Sequence, residues 1–394
     1  AEAMPLWRQC RRASLLLALL LLWYGIGSLR QNPHYLAYFN ELAGGPAQGY
    51  RYLGSSNLDW GQDLKLLADY VSAHDDEPVY FSYYGAYVSD PAYYGLEEPA
   101  LFNKQGFPLN YSPANPAPGQ YALSATHVQG MLLPDLDLFD WFSRREPAGN
   151  LGYSILLYDV SEAASGTWIG YCMDPAPLLV PEVAAQLVGE DGLRNVYFNC
   201  HNSWVFPSYG QAGWYILPQR DAWPMGRLFP EHLELVYRHS PSAVAPAYEV
   251  YYWDGKIDPA TVLATAPGDV TLADGNPVAL PLPVGNTAML VGYRLHDAEW
   301  WTVWQVQSRT SEALSVAGHL YQDEPTPTVI DGLGYTSDQW QPGDLVVQFH
   351  SFDRVANSSY LATGLYNYLT GEPLTFFADG RVDAFVHLFP SQND

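Results

Sequence analysis

Residues 11–30 read RRASLLLALLLLWYGIGSLR, and the stretch from Ala13 to Leu29 inside them carries no charge. As a helix, these 17 residues rise roughly 25 Å, slightly under the ~30 Å hydrocarbon core of a bilayer. The flanking Trp7, Trp23 and Tyr24, with a little local thinning, are expected to make up the difference. Arg8, Arg11 and Arg12 precede the run, and cationic side chains are retained on the cytoplasmic side. Residues 1–30 therefore read as a cytoplasmic end plus one transmembrane helix in the cytoplasmic membrane, with residues 31–394 extracytoplasmic. A secretory signal peptide shares the basic start and the apolar run. No A-x-A site follows the leucines, and Trp-Tyr-Gly-Ile-Gly is an interfacial ending, so the run reads as a retained helix. The chain opens Ala-Glu-Ala, and the expectation is a C-terminal piece of a longer protein.

Composition agrees with external placement. The 394 residues carry 18 Lys and Arg against 42 Asp and Glu, and beyond the apolar helix the balance is 14 against 41. Such a surface repels nucleic acid and anionic lipid, so no nucleic-acid partner is expected. Hydrophobic residues make up 48% and charged ones only 15%, enough apolar material for a sizeable core. Thirteen Trp and 30 Tyr leave two readings open, a β-rich core or aromatic platforms for sugar rings.

Beyond the helix, strand and helix signals alternate. An amphipathic helix is expected over Leu58 to His74, with Leu64, Leu67, Ala68 and Val71 on one face and Asn57 or Asp59 as N-cap. Strands are expected at 78–84, 121–126 and 152–158, with a helix over Leu136 to Arg145. This alternation predicts a membrane-proximal α/β domain over 31–165. Residues 166–256 read as a second α/β segment or a continuation of the same sheet. There Cys172 and Cys200 each end a strand-like run, with a helical segment Pro181 to Gly189 between them. A β-α-β unit sets such strand ends side by side, which predicts a Cys172–Cys200 disulfide in an oxidising compartment. Neither C-x-x-C nor a His pair at ligand spacing occurs, so no metal site is expected. After Asp254, short strand runs separated by Gly, Pro, Asp and Asn turns predict an antiparallel, jelly-roll-like β-sandwich over 257–394.

Several segments together resemble a known family. PHYLAYFNELAGGP at 33–46, SNLDWGQDLKLLADYV at 56–71, DPAYYG at 90–95, YALSATHVQG at 121–130, and WFSRREP at 141–147 followed by GYSILLYDV at 152–160 are similar to the C-terminal end of bacterial multi-pass membrane glycosyltransferases of the dolichyl-phosphate-mannose protein mannosyltransferase type. SNLDWGQDL is the specific part of that resemblance. GLGYTSDQWQPGDL at 332–345 and LATGLYNYLTGEPL at 361–374 resemble a terminal β-sandwich in longer members. The resemblance implies an enzyme that moves sugar from a polyprenyl-phosphate carrier, its donor substrate, to an acceptor outside the membrane. It also implies the lipid bilayer, a glycan or lipid-linked sugar, and upstream transmembrane helices of the same protein as partners. The family's catalytic acid lies in a first external loop between early transmembrane helices. This chain has one span and no such loop, so no catalytic residue is expected in it and no cofactor is identifiable.

Read from the residues alone, the candidate chemistry is narrow. Asp59 and Asp63 are four apart, which on a helix places both carboxylates on one face beside Trp60 and Gln62. Paired carboxylates can bind a cation, position a sugar hydroxyl or act as acid and base, whereas acidic residues at a helix start also serve the dipole. Asn57, Asp59, Trp60, Gln62, Asp63, Tyr93, Tyr94 and His127 are the candidate sugar or interface contacts. Two rivals to the transferase part stay open. One is an anchored, non-catalytic carbohydrate-binding or cell-surface module. The other is a glycosidase, which needs two carboxylates ~5–10 Å apart across a cleft. No G-x-S-x-G, Walker loop or G-x-G-x-x-G occurs.

Overall fold

The computed structural model describes residues 6–74, 79–85, 89–96, 101, 111–133, 135–242, 246–296, 298–322, 325–356, 359–378 and 380–390. The chain divides into two compact units, Ala1–Ala163 and Ala164–Asp394.

The first unit opens with α1 (Leu6–Arg30). Its portion Ala13–Arg30 is long and apolar enough to cross a membrane. The leucines from Leu15 to Leu22 project outward with more than half of their surface uncovered. A run of short 3-10 segments follows, and then α2 (Leu64–Ser72), β1 (Val79–Ser82), β2 (Gly119–Ser124), α3 (Ala125–Val128), α4 (Asp140–Ser143), β3 (Gly149–Leu151) and β4 (Ile155–Val160). The sheet order is β1-β2-β4-β3, with β1 and β2 parallel and the other pairs antiparallel. Successive strand side chains face opposite ways, and both faces of this sheet are covered. Tyr121 and Leu123 of β2 pack with Phe139 and Phe142, whereas Ala122 packs with Leu64, Leu67 and Ala68 of α2.

Both helices expected in this unit beyond α1 are shorter than expected, and the strand expected at 121–126 ends at Ser124, with Ala125 and Thr126 turning into α3. The helix expected from Leu58 begins only at Leu64, with Asp63 at its N-cap position. Gly61 explains the delay: it sits at φ +76°, and a Cβ there would come 2.8 Å from the Tyr84 carbonyl. Residues 58–63 therefore form a tight loop rather than a helical turn. The helix expected over Leu136 to Arg145 reduces to the one turn of α4.

In the second unit, β5 (Trp168–Cys172), α5 (Pro181–Val188), β6 (Arg194–Phe198), β7 (Ser203–Phe206), β8 (Gly213–Pro218), β9 (Leu233–His239) and β10 (Tyr248–Trp253) come first. Five of these strands form a mixed sheet in the order β6-β5-β8-β10-β9, with β5 parallel to both its neighbours and α5 as crossover. Residues 166–256, β7 aside, thus build a sheet of their own rather than extending that of the first unit.

The remaining strands are β11 (Val270–Leu272), β12 (Leu282–Val284), β13 (Ala288–His296), β14 (Glu299–Val306), β15 (Leu314–Tyr321), β16 (Thr328–Val329), β17 (Leu345–Ser351), β18 (Tyr360–Asn367), β19 (Phe376–Ala378), β20 (Arg381–Asp383) and β21 (Val386–Leu388). They form two antiparallel sheets, ordered β11-β21-β18-β15-β16 and β20-β19-β12-β13-β14-β17-β7. The edge strand β7 comes from far upstream and pairs with β17. One buried cluster joins Trp204 and Trp253 to Trp304, Val316, Leu361 and Leu388, so all three sheets share a core. Trp168, Trp204, Trp214, Trp223, Trp253, Trp300, Trp304 and Trp340 are all fully buried, which makes the tryptophan content mainly core.

A buried pair ties β6 to the segment ahead of β17. Arg194 donates from both terminal nitrogens to Asp344, at 2.7 Å each, and the Tyr335 hydroxyl donates to the same carboxylate at 2.8 Å. Asp344 is wholly buried. Across the mouth of the β-α-β unit a disulfide joins Cys172 to Cys200, with their Cα atoms 5.2 Å apart.

Candidate functional site

The SNLDWGQDL loop closes one end of the first unit's sheet. Because β1 and β2 are parallel and β4 is antiparallel to β2, the carboxyl ends of β1 and β2 and the entry to β4 lie together. Open α/β sheets bind ligands at that end. Here Ser82, Ser124 and Ser154 gather at it, each buried.

Asp59 and Asp63 point into this end rather than out along a helix, being 2% and 5% exposed. Ser124 Oγ and Thr126 Oγ1 donate to Asp59 Oδ2, and the Gly61 amide donates to Oδ1 at 3.0 Å. Asp63 Oδ2 accepts from Ser154 Oγ at 2.6 Å and from Gln62 Nε2 at 3.2 Å, while His34 Nδ1 lies 3.7 Å from Oδ1. Burial pushes both carboxyls above the ordinary carboxylate range, and the hydroxyl bonds pull back against it. The charge of Asp63 pushes Asp59 further in the same direction. These hydrogen bonds hold the loop, and burial leaves the two carboxylates little room to face a substrate.

Gln62 also donates to the Leu58 carbonyl at 3.1 Å and accepts from the Trp60 amide at 2.8 Å, locking the turn in which Trp60 stands half exposed. His127 lies in α3 directly after β2, with Nδ1 2.5 Å from Ser82 Oγ and its ring edge-on to Tyr84. Burial drives its pKa down to about 4, so the imidazole is neutral near pH 7. The Ser82–His127 pair has the outline of a nucleophile and base, but Ser82 is 1% exposed. Tyr93 and Tyr94 stand elsewhere, on the 3-10 turn Pro91–Tyr94 beside α2, with Tyr93 84% exposed and the two rings in edge contact with each other. In the second unit Cys172 and Cys200 are bonded to one another, so neither offers a thiolate to His201 beside them.

Asn57 belongs to a different feature. It is exposed at the end of a 3-10 turn and lines a cleft of about 790 Å3 between the 50–54 segment, Val128 to Met131 and residues 143–146. The Gln129 side-chain amide donates to the Tyr50 and Leu53 carbonyls and so fixes one wall. Arg51, Arg144 and Arg145 all border this cleft. Arg51 meets the exposed Glu146, Arg144 holds Asp140, and the Arg145 guanidinium lies 3.6 Å over the Trp141 ring. Exposed pairs such as Arg51–Glu146 contribute little stability and exchange partners readily.

Local pattern does not reveal this cluster, because Arg51 and its partner Glu146 lie 95 residues apart. A signal was present: between Gln31 and Ala163 the only cations are Arg51, Lys65, Lys104, Arg144 and Arg145 in a chain of net charge −24. Comparison with protein-family models, with curated proteins and with solved structures found no match.

Proposed function

We propose that this chain is the extracytoplasmic, C-terminal part of an integral membrane glycosyltransferase that takes its sugar from a polyprenyl phosphate. In this reading the chain orients carrier or acceptor, and the catalytic centre lies in membrane helices outside it. The cleft carries the proposal: three arginines, Asn57, Gln129 and Tyr52 border one cavity in the same unit as an apolar helix of membrane length. Guanidinium groups pair with phosphate oxygens, and amide and hydroxyl groups suit sugar hydroxyls. The buried state of Asp59 and Asp63 agrees with a bracing role for SNLDWGQDL rather than a catalytic one. The two C-terminal sheets, sharing one core, are read as a β-sandwich.

The test is binding of a short-chain polyprenyl-phosphate sugar to the detergent-solubilised full chain. The expected result is saturable binding that weakens about tenfold or more, ~1.4 kcal/mol, in Arg51→Ala or Arg145→Ala. Binding by both variants as tight as that of the unchanged chain overturns the assignment of the cleft. In-frame apolar segments encoded upstream of Ala1 are also expected, and an initiator at Met4 with a stop before it removes the transferase reading.

One observation favours the rival, an anchored carbohydrate-binding module. Tyr321 and Tyr360 form a stacked, partly exposed ring pair with centroids 5.0 Å apart on β15 and β18, flanked by His387 and Phe389, the kind of aromatic cluster on which sugar rings sit.

A further inference from the structure

The chain leaving α1 turns back along the helix instead of moving away from it. The Gln31 amide donates to the Ser28 carbonyl at 3.2 Å and its side chain donates to the His34 carbonyl at 2.8 Å. A Cβ placed on Gly27 would lie 3.5 Å from Glu41 Oε1 and 4.0 Å from Tyr38 Oη. The Glu41 carboxylate and the Tyr38 hydroxyl therefore reach the level of Gly27, three residues or ~4.5 Å short of the helix end.

That returning segment is apolar on its outer side. Ala37 is wholly buried in the unit's core, with Phe39 packed against the same cluster, so the segment is fixed to the fold. Its neighbours face out: Tyr35 is 56% exposed, Leu36 55%, Tyr38 42% and Leu42 92%. From Gln31 to Tyr50 the only acidic or basic side chain, histidine aside, is Glu41, although the chain as a whole is strongly acidic. Exposed apolar groups of this density, depleted of charge, mark a surface that meets something other than water.

We propose that Tyr35, Leu36, Tyr38 and Leu42 form an interfacial foot that enters the headgroup and upper acyl region of the bilayer beside the last turn of α1. The occupant is the lipid surface itself. Two features select it: the segment lies against Gly27 of α1 through Tyr38 and Glu41, with uncovered leucines and aromatics on both, and tyrosine with leucine is the composition that settles at a membrane interface. Net charge −24 makes a zwitterionic surface the better partner than an anionic one. The foot would fix the height and tilt of the first unit above the membrane. The inference rests on the reading of α1 as a membrane span.

Depth-dependent quenching tests the foot and the span together. The full chain carrying Cys10→Ser, with the Cys172–Cys200 disulfide intact, is given a single cysteine by Leu20→Cys, Leu42→Cys or Lys65→Cys, labelled with an environment-sensitive fluorophore and reconstituted in phosphatidylcholine vesicles. The Leu20 site is expected to be quenched by lipids carrying a nitroxide deep in the acyl chain. The Leu42 site is expected to be quenched at least twofold more by a shallow nitroxide than the Lys65 site, and to be shielded from aqueous iodide. A Leu42 site as open to iodide as the Lys65 site, with Leu20 quenched, overturns the foot and leaves the span standing. A Leu20 site that no lipid quencher reaches overturns both.

Discussion

The Asp63 carboxylate occupies the space in which the side chain of residue 152 would stand: a Cβ built on Gly152 overlaps it, and Gly152 itself sits at φ +60°. The turn between β3 and β4 and the loop ahead of α2 are thereby fitted to each other. Gly152→Ala should cost about 2–4 kcal/mol, combining the left-handed backbone penalty with overpacking against a buried acid. Urea unfolding of purified protein reads this directly, and an unchanged midpoint would show that the loop yields easily.

Asp59 is held by two hydroxyls and one amide, so its replacements separate shape from charge. Asp59→Ala strands those donors and is expected to destabilise by about 1–3 kcal/mol. Asp59→Asn keeps an acceptor for the Gly61 amide, and the Ser124 hydroxyl can rotate to accept, so its loss should be smaller. Denaturant midpoints of the two variants measured side by side check the ranking; an asparagine variant no more stable than the alanine one contradicts it.

His127 and His350 are both buried, each with a pKa lowered to about 4 from 6.5. Between these values the unfolded chain binds protons that the folded chain refuses. The stability they represent is complete above about pH 6.5 and is lost as pH falls toward 4, at about 1.4 kcal/mol per pH unit for each group. Asp59 and Asp63 work in the opposite sense, because a raised carboxyl penalises the fold as pH climbs through its folded pKa. His350→Gln removes one of the two histidine contributions, so its unfolding midpoints should fall less steeply on acidification from pH 6.5 to 4.5 than those of the unchanged chain; equal slopes would contradict this.

Removing Asp344 leaves the largely buried Arg194 guanidinium without its bidentate partner. The expected cost of Asp344→Ala is about 3–5 kcal/mol, the range for an uncompensated buried charge. Arg194→Met with Asp344→Leu should recover only the charge part of that cost, because the Ser208 and Gln341 amides that also donate to Asp344 lose their acceptor; thermal melts of the single and double variants test that non-additivity.

Reduction of the Cys172–Cys200 disulfide releases a loop with a sequence separation of 28 residues. By loop entropy alone this should lower stability by about 3.6 kcal/mol. A shift in the urea midpoint on adding reductant, absent in a Cys172→Ala, Cys200→Ala variant, is the expected result.

What can be read from the sequence is what local pattern controls. The helix Pro181–Val188 begins with proline in its first turn and ends at Gly189 in the left-handed region, and both signals stand in the sequence. The strands β13, β14, β15, β17 and β18 are visible as β-branched and aromatic runs between turn residues. The SNLDWGQDL segment departs from its expected helix because the spacing between Asp59 and Asp63 says nothing once Gly61 leaves the helical region. The cation-lined cleft and the Arg194–Asp344 pair are invisible for another reason: their partners are 95 and 150 residues apart, and only the closed fold brings them together.

Strand β7 has a consequence in time. All four of its residues are buried, and its partner β17 begins 139 residues after β7 ends. At 5–20 residues per second, a ribosome needs roughly 7–28 s to make that interval. For that period Ser203–Phe206 has no neighbour to pair with, so a sticky apolar segment must be kept from the wrong company throughout synthesis. The last third of the protein is also what lets the middle third finish folding.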